Sequence, residues 1–465
     1  MQEIEKFEIC SKYRREDFDF DEIQNDRNNP PDNRGYPTYP LLMPSHQGSS
    51  FTYKVSNDWF FKRKLQDGGH PHTILSQHHF SQAYNELYGT FDDLGEVIAY
   101  ILAKSVIDSK TGEPIVKVPE YRLATYKDKE GVLLRGCISK NVCDSPNKTL
   151  VSMSDIMKFA GVSGNSIDVY MSAIEKYTRG RNCECDIDLV RQTLIKYSYF
   201  NWKISNSDNH KNNVMFIVEK LPNGKVKFDV SPLIDNGSAY ELSVRYKNDD
   251  DEIRLESLYS DSDFSSKDEN GNTVLNFSYY PYMHTAFHLE NNKLLLPDTK
   301  IGDRAYNYEY SLASEMLSDK ELFRQIYEID KQLDVQTAIS EIDEIYGASI
   351  KGAPKEVNWP PYLKEFMFET NNVKSKILSF VVSDYYLNVA FNATIGTADK
   401  NNPSQIYQTF KNEMMQVPLL NSKEAYDEVF MAIAQKYGIE VDKAKLENLV
   451  FKSSGEPESA KQPND

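Results

Sequence analysis

The chain has 465 residues, 40% hydrophobic and 12% aromatic, enough apolar material for a sizeable core, which excludes wholesale disorder and low-complexity architectures. Its 70 acidic residues outnumber 53 basic ones, and the net charge of −17 repels polyphosphate backbones, so direct nucleic-acid binding is excluded while one local phosphate site remains open. The longest apolar run, Val97 to Ala103, is seven residues against the roughly 20 of a spanning helix, so no membrane role is expected.

Residues 1–44 are polar, acidic and rich in Asn and Pro, and read as a flexible N-terminal arm. The segment Met1 to Cys10 is charged and lacks an apolar signal core. With five scattered cysteines, of which Cys183 and Cys185 have the wrong spacing for a zinc knuckle, this predicts a cytoplasmic protein with reduced thiols; delivery to another cell is compatible with it. A Gly/Ser turn over 46–50 precedes strand-like Phe51 to Val55 and Trp59 to Arg63, a hairpin by pattern. Helices are predicted over 75–88 and 94–107, then a second hairpin from 121–126 and 132–139 around Lys127 to Gly131. After about Leu150 the pattern is helical: 153–160 with Gly161 as its cap, 166–177, and 187–202. That last helix runs into a polar knot, Asn206 to Asn213, followed by a strand at 214–218, a Pro222-Asn-Gly224 turn and a strand at 225–230. Residues 241–272 are acidic and serine-rich, an exposed loop by composition, and helical periodicity dominates 305–446 apart from 351–361.

The expected class is therefore α+β and two-lobed: a β-rich N-lobe over 45–148, a larger helical C-lobe over 149–450 carrying a hairpin at 206–238 and a long helical extension, and a disordered tail at 451–465.

The chemistry concentrates in 206–235. A β-hairpin sets its two outer ends side by side, so Asp208, Asn213 and Asp235 converge although they span 28 positions. Two carboxylates and an amide suit a hard, oxygen-loving cation such as Mg²⁺. The spacing Asp208-x-x-x-x-Asn213 is also that between base and metal ligand in the protein-kinase catalytic loop, with Asp235-Asn-Gly in the place of the later metal aspartate.

The pattern Asn206-x-Asp208-x-His210-x-x-Asn213, followed by Pro232-Leu-Ile-Asp235-Asn-Gly-Ser238, resembles the signature of HipA-like Ser/Thr kinases, a divergent branch of the protein-kinase and lipid-kinase fold that includes bacterial toxins. Upstream, Trp59-Phe-Phe-Lys62 resembles the strand lysine and Glu96 to Lys104 resembles the helix with its partner glutamate; only Gly48, Ser49 and Ser50 can serve as the phosphate-binding turn. With 44 residues ahead of this region, the resemblance points to the shorter, stand-alone members. It implies transfer of the ATP γ-phosphoryl group to a Ser or Thr hydroxyl. Lys62, paired with Glu96, would hold the α/β-phosphates, and backbone N–H groups at Gly48 to Ser50 would cover them. Asn213 and Asp235 would hold Mg²⁺, and Asp208 would accept or orient the acceptor proton. It further implies ATP and a Ser/Thr protein substrate as partners, admits an antitoxin, and predicts autophosphorylation among Ser45, Ser49 and Ser50.

Rival readings stand beside it. Lys64 rivals Lys62, since it points to the same side of the strand, and Glu86 is the reserve for Glu96. A small-molecule or lipid kinase shares the same trio, and the weak phosphate turn fits a pseudokinase or nucleotide-binding interaction module. A helical scaffold built on 305–446 is the reading from a different class. His210 reads as a structural anchor, and His70, His72, His78 and His79 as a loop rather than a zinc site.

Overall fold

The computed structural model describes residues 51–54, 59–63, 92–127, 133–164, 167–206, 209–241, 265–267, 273–276, 286–290, 293–295, 312–350, 361–396 and 404–451. They fall into two compact units, one within 1–258 and 332–368, the other within 259–331 and 369–465. The architecture is mixed α+β, with small sheets and many helices. The arm over 1–44, the 75–88 helix, the Gly48 to Ser50 turn, Asp208, Lys64, Glu86 and the tail beyond Phe451 lie outside the described residues.

In the first unit, β1 (Phe51–Lys54), β2 (Trp59–Arg63), β3 (Tyr121–Lys127) and β4 (Leu133–Lys140) make an antiparallel sheet in the order β1-β2-β4-β3. Its register sets Lys62 opposite Cys137. Helix α1 (Asp92–Ser105) packs on β3 and β4. It starts on two aspartates, with the Leu94 N–H donating to the Asp93 carboxylate, and ends on Lys104, so the charges complement its dipole. Residues 93–99 are all buried, the signature of a helix covered on every side; the helix Val335–Ile350 packs against it.

A second sheet has the order β5-β7-β8-β6, from β5 (Lys148–Ser152), β6 (Cys183–Glu184), β7 (Met215–Lys220) and β8 (Val226–Val230). Helices α2 (Met153–Ala160), α3 (Ile167–Arg181) and α4 (Ile187–Lys203) share a core with it, in which Met153, Ile156, Ile174, Leu194, Phe216 and Phe228 are buried. The Gly161 cap is left-handed at φ +66°, its N–H donating to Lys158 O, and Gly224 turns the β7–β8 hairpin at φ +82°. Two strands depart from the sequence pattern. β5 occupies 148–152, at the edge of the stretch that periodicity marks as helical, because its partner β7 lies more than 60 residues downstream and a non-local pairing leaves no local signal. β6 is two residues long and pairs parallel with β8, too short for any alternation to appear.

The second unit contains a four-stranded antiparallel meander of 265–267, 273–276, 286–290 and 293–295. Ser265–Lys267 is thus a strand, although composition places it in an exposed loop; its register with Thr273–Asn276 supplies what its polar side chains do not suggest. The helices 312–318, Lys320–Gln332, Gln405–Met414 and Lys423–Lys436, with most of Pro361–Thr394, surround an aromatic core in which Tyr386, Phe410, Tyr426 and Phe430 are fully or almost fully covered.

Candidate active site around Lys62

Three of the residues singled out from sequence meet in the first unit. Lys62 rises from the middle of β2 and is 9% exposed. Its ammonium Nζ lies 2.5 Å from Glu96 Oε1 and 2.5 Å from Asp235 Oδ1, one cation shared by two carboxylates. Glu96 comes from the first turns of α1 and is wholly buried, whereas the Asp235 side chain keeps 18% of its surface open. The open member of the trio is therefore Asp235. Burial, the largest influence, pushes the Glu96 carboxyl above its ordinary range; the Lys62 ammonium pulls it down and the Asp235 carboxylate pushes it up again. The phenol of Tyr121, buried beside this trio, is raised well above its usual value, first by burial and then by Glu96.

The turn that carries Asp235 is held by its backbone. Asp235 itself has φ +60°, a left-handed conformation that Asp adopts more readily than most residues. The Asn236 N–H donates to Glu96 Oε2 at 2.7 Å, so the second carboxylate oxygen of Glu96 is committed to the turn while the first holds Lys62. Behind it runs a buried amide chain: Asn206 Nδ2 donates to Asn201 Oδ1 at 3.1 Å and to Asn236 Oδ1 at 3.4 Å. Asn201 is in the last turn of α4 and Asn206 two residues before Asp208, so helix, loop and turn are tied together by uncharged groups. The Tyr240 N–H donates to Ile204 O at 2.7 Å, closing the far side of the turn.

Asn213 is buried at the head of β7. Its N–H and that of Val214 both donate to His210 O, at 2.8 and 3.2 Å, so the chain doubles back just before the strand. The free N–H groups of α2's first turn fix the same loop: Met153 donates to Val214 O at 2.8 Å and Ser154 to Lys211 O at 3.1 Å. Across the hairpin, Ser231 N–H donates to Met215 O at 3.0 Å, which brings the chain that leads to Asp235 alongside the one that leaves Asn213. A small cleft lined by Tyr197, Asn201, Asn209, Asn213, Ser231 and Leu233 opens at this end of the hairpin. The structure thus brings Lys62, Glu96 and Asp235 into contact and sets Asn213 on the neighbouring strand end; Asp208, Gly48, Ser49 and Ser50 lie outside the described residues. His210 is exposed, with its carbonyl engaged in the loop. Among the described residues no group of three or more His, Cys, Asp and Glu side chains could hold a metal, and no helix is long and apolar enough to cross a membrane. Cys137, Cys143, Cys183 and Cys185 are in no disulfide bond among the described residues.

The sequence pattern missed Gly95 and the backbone role of Asn236. A Cβ on Gly95 would run into the Gly237 carbonyl oxygen and sit 2.8 Å from its carbon and 3.0 Å from Asn236 O. The one local signal is a glycine inside an otherwise good helix, directly before the paired glutamate.

The first unit therefore presents a buried lysine–glutamate pair joined to an aspartate turn after a β-hairpin, in a mixed α+β fold. No family model matches the chain, and no curated protein matches it in sequence. Among solved structures it is similar to the crystal structure of a Helicobacter pylori proinflammatory kinase, CtkA, at 16% identity, covering 73% of this chain and 93% of that one with a TM-score of 0.38. At that distance the functional reading rests on the geometry around Lys62.

Proposed function

We propose that this chain is an ATP- and Mg²⁺-dependent phosphotransferase, a two-lobed kinase of the HipA-like type that moves the γ-phosphoryl group to a Ser or Thr hydroxyl of a protein substrate. The observation that carries the reading is the sharing of the buried Lys62 ammonium between Glu96 and Asp235 at 2.5 Å each. A lysine so placed is of little use as a surface charge, and the two carboxylates hold it in one orientation.

The residues fit the two groups the reaction needs. Asn213 and Asp235 offer oxygen donors only, an amide and a carboxylate, which suits Mg²⁺, an ion that takes few protein ligands and keeps waters and phosphate oxygens. When bound, the metal neutralises charge on the phosphoryl oxygens. The rest falls to the chain. With nucleotide bound, Lys62 would hold the α/β-phosphates while Glu96 retains its ammonium, and Asp235 together with Asn213 would hold the metal. Glu96 has both oxygens engaged, so the lysine keeps its direction. Asp208 would orient or deprotonate the acceptor hydroxyl, and Gly48 to Ser50 would cover the phosphates. Since this chemistry is mostly positioning and electrostatics, the tied-down loop and turn are what the reaction requires.

Phosphotransfer from γ-labelled ATP to Ser, Thr and Tyr peptides, with lipid and small-molecule acceptors alongside, tests the proposal. Asp208→Ala is expected to keep nucleotide binding and lower turnover by about 10² to 10⁴. Transfer confined to lipid or small-molecule acceptors would move the substrate class, and unchanged transfer by the variant would remove Asp208 from the mechanism. Intact-mass measurement of the same samples reports phosphate added at Ser45, Ser49 or Ser50.

A further inference from the structure

Helix glycines normally weaken a helix by about 0.5–1 kcal/mol relative to alanine, because they restrict an otherwise free backbone and pack nothing. Gly95 is such a glycine, in the second turn of α1, and both of its neighbours are buried. Its place is occupied by the turn after Asp235: the Gly237 carbonyl and the Asn236 oxygen come so near that any side chain at 95 would have to displace backbone. One residue on, Glu96 Oε2 accepts the Asn236 N–H at 2.7 Å. Helix and turn are thus joined by a bare-backbone contact and a buried, charge-assisted hydrogen bond, both within three residues of Asp235.

We propose that Gly95 is the positioning residue of this site. By letting the Asp235-Asn236-Gly237 turn lie directly on α1, it locks the carboxylate of Asp235 to the Lys62–Glu96 pair, and helix and turn move as one body. The consequence is regulatory. Any partner or modification that shifts α1 must carry Asp235 with it, so the lysine pair and the metal carboxylate are gained or lost together rather than one at a time. This rests on the kinase reading for what Asp235 binds, and on the contacts alone for the coupling of helix to turn.

Two measurements on the full chain separate these layers. In the wild type without ligand, hydrogen exchange read on peptides spanning 233–238 should match the slow exchange of those spanning 94–103, and both should open together as denaturant is added. Fast exchange of 233–238 over a protected α1 would overturn the coupling whatever the enzyme does. In Gly95→Ala, the unliganded melting temperature should fall despite alanine's better helix propensity. The dissociation constant for Mg²⁺ with a non-hydrolysable ATP analogue should rise at least tenfold, while that for the analogue in EDTA changes less than threefold. An ordinary helix glycine gives the opposite: a higher melting temperature and unchanged Mg²⁺-dependent affinity, and that result would also overturn the proposal. If the wild type fails to bind the analogue with Mg²⁺ while the two peptides still exchange together, the kinase reading falls and the lock stands.

Discussion

Asp235 holds a left-handed φ of +60°, a conformation that costs free energy, and its surroundings retain it: the next N–H of the turn, that of Asn236, donates to the fully buried Glu96 carboxylate. Lys62, Glu96 and Asp235 are legible in the sequence because each has a chemical type and an order along the chain that carry meaning. Gly95 and Asn236 are not, since what constrains them is backbone from a segment some 140 residues away, and an amide or a glycine looks the same whether or not something leans on it. The same holds for Tyr240, in a left-handed conformation at φ 49° and with no exposed surface. Its hydroxyl has no hydrogen-bond partner among the described residues, and burial holds its phenol far above the usual range. A buried unsatisfied hydroxyl costs about 1–3 kcal/mol, so Tyr240→Phe should stabilise the protein by an amount in that range. Chemical denaturation of both proteins measures it; a loss of stability would mean that the Tyr240 hydroxyl is hydrogen-bonded in the folded protein.

At the scale of elements, the hairpins, the α1 and α4 helices and the Gly161 cap follow from local signals, each visible within a dozen residues. The strands β5 and β6 do not, because their ladders are written in the partner strand. β5 nevertheless matters to the site, since it delivers Ser152, the N-cap of α2. The Ser152 hydroxyl accepts the Asp155 N–H at 3.1 Å and donates to the Asp155 carboxylate at 2.7 Å. It thereby sets the helix end whose next two N–H groups grip Val214 and Lys211 on either side of Asn213. Ser152→Ala should cost about 1 kcal/mol, as loss of an N-cap does. It should also weaken Mg²⁺-dependent nucleotide binding, because the Asn213 loop loses its anchor. Calorimetric melting with titration of the nucleotide reads both; a stability loss with unchanged metal dependence would confine Ser152 to folding.

For the molecule as a whole, both units bury phenols. Tyr121, Tyr197 and Tyr240 in the first and Tyr386 and Tyr426 in the second are all raised by burial, Tyr426 to about 12. A raised folded-state value means that the fold prefers the protonated form. The contribution is therefore complete below the unfolded value near 10 and is lost as pH rises through the folded ones. Each phenol can remove up to about 1.4 kcal/mol per pH unit in that window. Urea unfolding followed by circular dichroism should show stability falling steeply above pH 10, and a flat profile to pH 11.5 would contradict the burial of these rings.

If Lys62, Glu96 and Asp235 form a site for Mg²⁺ and ATP, thermal unfolding with and without ligand must register it, since whatever binds only the folded state raises its stability. The wild type should melt higher with ATP and Mg²⁺ than with ATP in EDTA, and ligand at a hundredfold its dissociation constant contributes about 2.7 kcal/mol. Asp235→Ala should lose most of the Mg²⁺-dependent increment. An equal shift with and without Mg²⁺ in both proteins, or no shift in either, would mean that these three residues hold no Mg²⁺-dependent nucleotide site.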